Sequence, residues 1–301
     1  MVEEENKEEI IDIDNNDYID LNEENIVNQD NMIYNFNILM KITNAKLEQK
    51  VCKIILEINK DKAMSGTGFF CDIPSKEIKV LLTNNHIIDE KFLINEKKLV
   101  FSIEINGKEV KHEINLEYDR YIYSNKELDF TIIEILREDN INDFFSIDKN
   151  FFQSENYIDQ QLFSMQYPKG NNLQISFGNI INKNFISKNK NNFFIYDIGT
   201  ESGSSGSPII SVNNLKVIGL HKAGSKYTDK NKIINIGICL DKVIDLIPKK
   251  ETIILENVIY CKNYMSESEC GKTVKIFNNK SDAAKKIKRI IIKKKKKQMK
   301  N

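Results

Sequence analysis

Short apolar or alternating runs recur along this chain from residue 51 to residue 239 and confine that stretch to β structure. They fall at 51–58, 68–72, 80–82, 99–105, 109–116, 130–136 and 161–167, then at 173–177, 180–186, 193–197, 208–212, 217–221 and 233–239. Runs of this length are too short for ordinary helices, and where residues alternate, one side of the run faces a core. Their spacing predicts an all-β barrel architecture. From residue 45 to residue 250 only 240–247 reads as a helix, closed by Pro248.

One hexapeptide stands apart from this background. Residues 203–208 read Gly-Ser-Ser-Gly-Ser-Pro, in a chain that has only 12 Gly and 4 Pro among 301 residues. The glycines let the backbone turn tightly, so that two successive N–H groups point at one spot, with the Ser205 hydroxyl above it. A serine beside two converging donors is what acyl transfer needs: an attacking oxygen and a cradle for the oxyanion it creates. The same six residues also make an ordinary Gly/Ser turn between strands, so the decision falls to the rest of the chain.

A serine hydroxyl needs a base, usually histidine, and the chain has three: His86, His112 and His221. His112 lies in the alternating Lys111-His112-Glu113-Ile114-Asn115-Leu116, an exposed strand position. His86 follows the apolar Val80-Leu81-Leu82-Thr83-Asn84-Asn85 and precedes Ile87-Ile88, at the end of a buried strand. Alone there, a histidine is more often a satisfied structural residue than a catalyst; its pairing with the serine loop reverses that. The third member is a carboxylate that fixes the imidazole tautomer. Asp129 opens the apolar Phe130-Thr131-Ile132-Ile133, where an unpaired charge is costly to bury, so it calls for a partner such as His86. Asp119, in Glu-Tyr-Asp-Arg-Tyr, is the fallback.

The order His86, Asp129, Ser205 and its surroundings resemble the trypsin/chymotrypsin superfamily, in particular its disulfide-independent, glutamyl-endopeptidase-type members. Ser65-Gly66-Thr67-Gly68-Phe69-Phe70 is similar to the family's Gly-x-Gly-Phe strand, and Leu82-Thr83-Asn84-Asn85-His86 to its Leu-Thr-x-x-His motif. Leu128-Asp129-Phe130-Thr131-Ile132 is similar to Asp-hydrophobic-Ala/Thr-hydrophobic, residues 203–208 to Gly-x-Ser-Gly-Gly/Ser-Pro, and Ile218-Gly219-Leu220-His221 to the strand lining the substrate groove. The likeness runs over roughly residues 45–250.

The resemblance implies two six-stranded antiparallel barrels with a short C-terminal helix. The active site lies between them, with His86 and Asp129 from the first barrel and Ser205 from the second. It implies Ser205 as nucleophile rather than Ser204 or Ser207, and an oxyanion hole from the N–H groups of Gly203 and Ser205. Ser204 stands where digestive members carry the Asp that pairs with a newly cut N-terminus, so that zymogen switch is not expected. Gly199 stands where trypsin-type enzymes place a carboxylate. Thr200 and His221 stand where glutamyl-endopeptidase-type enzymes hold an acidic substrate side chain, a small or apolar preference being the competing expectation. The expected activity is that of a serine endopeptidase acting on protein or peptide substrates, without cofactor or metal. The alternative is a catalytically silent peptide-binding module of the same fold.

The ends carry opposite charge. Lys7 is the sole basic residue before Lys41, whereas the end holds Lys285, Lys286, Lys288, Arg289 and an unbroken Lys293 to Lys297. An acidic tail over 1–40 buries too little apolar surface to order itself, so disorder is expected. The peptidase domain is expected over 41–250, and an extension over 251–301 ending in a basic helix capped at Ser281-Asp282. The lysines suit nucleic acid, import receptors or anionic surfaces, or are simply solvated. The five cysteines (Cys52, Cys71, Cys239, Cys261, Cys270) lack metal-ligand spacing, and no secretory or transmembrane run is visible. A cytoplasmic or nuclear setting is expected.

Overall fold

The computed structural model of the chain describes residues 36–59, 62–116, 120–153, 157, 160–182, 192–227, 232–248 and 275–278. Most of the expected acidic tail, Asp119, Cys261, Cys270 and the lysine-rich end lie outside the described residues.

The architecture is all-β, as expected. The amino-terminal half comprises β1 (Val51–Asn59), β2 (Lys62–Ile73), β3 (Ile78–Thr83), β4 (Lys98–Ile105), β5 (Lys108–Asn115), β6 (Ile122–Asn125) and β7 (Phe130–Glu134). The carboxy-terminal half comprises β8 (Gln161–Gln166), β9 (Gln174–Asn182), β10 (Phe193–Tyr196), β11 (Pro208–Ser211), β12 (Val217–Tyr227) and β13 (Lys232–Cys239). The second half closes into a six-stranded barrel in the order β10-β13-β12-β11-β8-β9. The first half does not close as expected. Its order is β14-β6-β7-β3-β2-β1-β4-β5, antiparallel throughout except that β14 (Lys275–Asn278) pairs parallel with β6. Between the ends of β5 and β7, the buried guanidinium of Arg120 spans the opening. It donates to Asn115 O at 2.6 Å and Glu134 O at 2.5 Å, and grips Asp139 with two nitrogens at 2.6 and 2.8 Å.

Three buried clusters organise the halves. One fills the amino-terminal sheet around Phe70, Leu81, Phe101 and Ile133; one fills the barrel around Phe194, Ile209 and Ile218. The third joins the halves through Phe69, Leu82, Phe163, Ile210 and Leu220. Adjacent residues such as Phe69 and Phe70, or Ile209 and Ile210, thus face different cores. Strands buried on both faces read as continuous apolar runs for that reason.

Several details depart from expectation. The run 173–177 and the described part of the run 180–186, up to Asn182, are one strand, β9, which holds Gly178 where a Cβ would lie 2.6 Å from Asp197 Oδ1 and 2.7 Å from Ile198 N. Strand β6 is four residues long and wholly buried, so it shows no alternation. Helix α1 (Phe36–Asn44) reaches into the segment read as a disordered tail; Ile42 is buried, and Lys41 Nζ donates to Asn213 O at 2.7 Å. Helix α2 (Glu90–Asn95) is capped by Asp89, which accepts from Phe92 N at 2.7 Å. The expected helix after β13 is α3 (Leu240–Leu246). Among the described residues no helix is long and apolar enough to cross a membrane.

Candidate active site

Strand β3 ends at Thr83, and the chain then turns back on itself, Ile88 N donating to Asn84 O at 3.1 Å. The two asparagines before His86 serve as struts. Asn84 Nδ2 donates to Asp129 O at 2.9 Å, and Asn85 Nδ2 to Ser124 Oγ at 2.7 Å. Asp129 sits at the entry to β7 with φ of 60°, a left-handed conformation that a short polar side chain tolerates. Its Oδ1 accepts from His86 N at 2.9 Å and its Oδ2 meets His86 Nδ1 at 2.8 Å. A carboxylate only accepts, so Nδ1 carries the proton and Nε2 is left as the basic nitrogen. Burial by itself would raise the Asp129 pKa. The His86 hydrogen bond and the charges of His86 and Lys222 outweigh it and hold the carboxyl below its ordinary value. Lys222 Nζ lies 3.2 Å from the same Oδ2.

The serine turn is framed by two glycines in the left-handed region, Gly203 with φ of 90° and Gly206 with φ of 87°. A Cβ on Gly203 would lie 2.6 Å from Tyr167 O, and one on Gly206 would collide with Thr67 O and Thr83 Oγ1. Thr67 of β2 clamps this turn. Its N–H donates to Ser205 O at 2.8 Å, and its hydroxyl to Gly203 O at 2.8 Å. Gly206 N donates to His221 O at 3.1 Å, tying the turn to β12. The three serines differ in surroundings. Ser204 is buried and its Oγ accepts from Glu201 N at 3.1 Å; Ser207 is buried and its Oγ accepts from Ser164 Oγ at 3.0 Å. Ser205 is partly exposed. Among the described residues, no hydrogen bond engages the N–H of Gly203 or of Ser205.

His221 and Thr200 stand on the barrel wall with separate partners. His221 is buried, with Nδ1 hydrogen-bonded to the Tyr196 hydroxyl. Burial, helped by the charge of His86, lowers its pKa to about 3, so the ring is neutral. Burial also pushes the Tyr196 hydroxyl up, so it keeps its proton. Thr200 Oγ1 donates to Asn235 Oδ1 at 2.6 Å, and Asn235 pairs across the ladder with Tyr196 and Gly224. Gly199 is exposed, with open space where a Cβ would stand. His112 lies elsewhere, stacked on Phe101 with centroids 5.7 Å apart and 8° between planes. It is partly buried rather than exposed as expected.

Sequence reasoning passed over Thr67, Tyr196, Lys222 and Asn235 as site-building residues. Only Thr67 had a visible signal, its place between the two glycines of Gly66-Thr67-Gly68. Among the described residues no group of three or more His, Cys, Asp or Glu is placed to hold a metal ion.

The family model of the trypsin-like peptidase domain matches residues 66–220, a span holding Thr67, His86, Asp129, Tyr196, Thr200 and Ser205 but not His221, Lys222 or Asn235. No curated protein is significantly similar to the chain. Among solved structures, a serine endoprotease from Yersinia pestis is similar at 14% identity and a TM-score of 0.48, over 67% of this chain and 64% of that one. The chain therefore spans slightly less than two thirds of that protein. Deg5 is similar at 17% identity and a TM-score of 0.49, over 69% of this chain and 91% of that one. A protease from M. tuberculosis in its active form is similar at 14% identity and a TM-score of 0.48, over 73% and 92%. The family model covers more than half of the 301 residues, and with it the chain belongs to the trypsin-like peptidase domain family.

Proposed function

We propose that the chain is a serine endopeptidase with His86, Asp129 and Ser205 as its triad. The observation that carries this reading is the 2.8 Å bond between His86 Nδ1 and Asp129 Oδ2, which leaves Nε2 basic. His86 Nε2 takes the Ser205 Oγ proton as the oxygen bonds to the scissile carbonyl carbon. The N–H groups of Gly203 and Ser205 hold the oxyanion. His86 then gives its proton to the leaving amine, and water, deprotonated by His86, releases the acyl group. Asp129 keeps the ring oriented and steadies the imidazolium. Engagement of the Ser204 and Ser207 hydroxyls within the protein supports Ser205 as the nucleophile.

For specificity, the reading is a preference for an acidic residue on the acyl side of the cut, as in glutamyl-endopeptidase-type enzymes. On this reading the Tyr196 hydroxyl donates to His221 Nδ1, which puts the ring proton on Nε2. His221 then offers a neutral donor rather than a positive charge. Thr200 must turn its hydroxyl away from Asn235 to contribute. The setting proposed is a reducing one, cytoplasmic or nuclear, in keeping with the buried thiols of Cys52 and Cys71.

Hydrolysis of a peptide library by the purified chain, with Ser205→Ala as control, tests the activity. No cleavage above the control overturns it and leaves the silent peptide-binding module. Cleavage after Glu that falls selectively in His221→Ala supports the pocket; equal cleavage after Glu, Ala and Phe, or a Glu preference untouched by the mutation, refutes it.

A further inference from the structure

Strand β12 carries an irregularity where it passes the catalytic groups. His221 stands opposite Gly237 and Ala223 opposite the next residue back, Ile236, so Lys222 is the extra residue of a β-bulge. A bulge breaks the alternation of side chains and re-aims one of them. Here it turns Lys222 toward Asp129, with Nζ 3.2 Å from Oδ2 and 5.9 Å from the Phe193 ring centroid. The lysine side chain is 19% exposed and the aspartate 6%, so water screens the pair weakly. His86 Nδ1 binds the same oxygen at 2.8 Å. One carboxylate oxygen therefore serves two cations whenever His86 is protonated.

We propose that Lys222 is a positioning residue of the triad: its ammonium group shares Asp129 Oδ2 with His86 and disfavours the protonated imidazole. The inference rests on the triad reading above. In a triad without such a neighbour, the aspartate charge acts on the imidazolium alone. Lys222 neutralises part of that charge and repels the imidazolium directly, which favours the neutral, basic imidazole. The same effect steadies the imidazolium less during catalysis, so the lysine exchanges peak rate for activity in mild acid.

The other ionisable groups around His86 do not duplicate this role. His221 on β12 is buried and neutral, with a pKa near 3, and so does not titrate across the working range. Asp129 itself is held ionised. Asp89, on the turn after His86, caps α2 through Phe92 N, and Glu90 begins that helix and is buried. Among the described residues, Lys222 is the lysine in contact with Asp129.

The test compares wild type, Lys222→Met and Lys222→Arg. Met keeps the length of the side chain without its charge; Arg restores the charge. The first readout is the pH dependence of the rate at which a fluorophosphonate labels the serine. The acid limb in Lys222→Met is expected to move up by about one pH unit, the size of shift a single close charge produces. Lys222→Arg is expected to return it toward wild type. The second readout is the NMR titration of the His86 ring in a Ser205→Ala background, which needs no activity. There Lys222→Met is expected to titrate about one unit higher than the Lys222 parent. If no form labels, the triad reading fails, while the titration still decides the role of Lys222. An unchanged His86 midpoint in Lys222→Met, in protein whose spectrum is otherwise folded, overturns the proposal.

Discussion

Thr83 donates its hydroxyl to the carbonyl oxygen of Thr67 at 2.8 Å, and Thr67 in turn bonds the turn that carries Ser205. The strand that ends at His86 and the loop that presents the serine are thus joined through one buried residue of β2. The two halves of the molecule meet at this clamp, which fixes the serine turn on the strand that leads to His86.

Removing the Thr67 hydroxyl is therefore expected to loosen the site. In Thr67→Val, Gly203 O loses its donor and Tyr167 N its acceptor, bonds of 2.8 and 3.1 Å, in a buried setting. Buried polar groups left unpaired cost about 1–3 kcal/mol each. Urea unfolding is expected to show a loss of that size, with serine labelling slowed in parallel. Thr67→Ser, which keeps the oxygen, is expected to recover most of both. Equal stability of wild type and Thr67→Val contradicts the clamp.

Acid sensitivity follows from His221. Its folded pKa, about 3, lies below the ordinary histidine value, so the unfolded chain binds the extra proton first as pH falls. Stability contributed by the neutral ring is full above pH ~6.5 and declines toward pH ~3. Between pH 7.5 and 4.5 this amounts to about 2–3 kcal/mol, one pKa unit being ~1.4 kcal/mol. Chemical unfolding at the two pH values is expected to show that loss in wild type and a much smaller one in His221→Gln. A loss of the same size in both proteins rules His221 out as its source.

Helix α1 is the first described element of the chain. Ile42 is 3% exposed within the cluster that joins the two halves. Ile42→Ala is expected to cost about 2–4 kcal/mol, the range for a buried isoleucine. Deletion of residues 1–35 is expected to leave the unfolding midpoint in place, whereas deletion through Asn44 lowers it. A midpoint unmoved by the longer deletion contradicts a structural role for α1.

Strands β1, β4 and β13 were legible because apolar runs of the right length survive in the sequence. Strand β6 was not: Ile122-Tyr123-Ser124-Asn125 is buried throughout, with its polar members hydrogen-bonded, so neither period nor composition marks it. Helix α1 follows an acidic stretch whose composition masks the Ile38 and Ile42 face. At the site, the residues of the serine turn, His86 and Asp129 could be named because glycine and the charge of an aspartate opening an apolar strand are costly there without a reason. Lys222 could not, because a bulge is a property of strand register and leaves no mark in composition. Asn84 and Asn85 fill the two open positions of the Leu-Thr-x-x-His pattern, which gives no hint that they are struts to Asp129 and Ser124.

The central claim is that Ser205 is an activated nucleophile. Purified wild type, Ser205→Ala, Ser207→Ala and Asp129→Asn, each incubated with a fluorophosphonate and mapped by peptide mass spectrometry, test it directly. Wild type and Ser207→Ala are expected to carry the label on Ser205, Asp129→Asn to label far more slowly, and Ser205→Ala to carry none. Label on Ser207 or Ser204, or a wild type that labels no faster than Ser205→Ala, contradicts the claim.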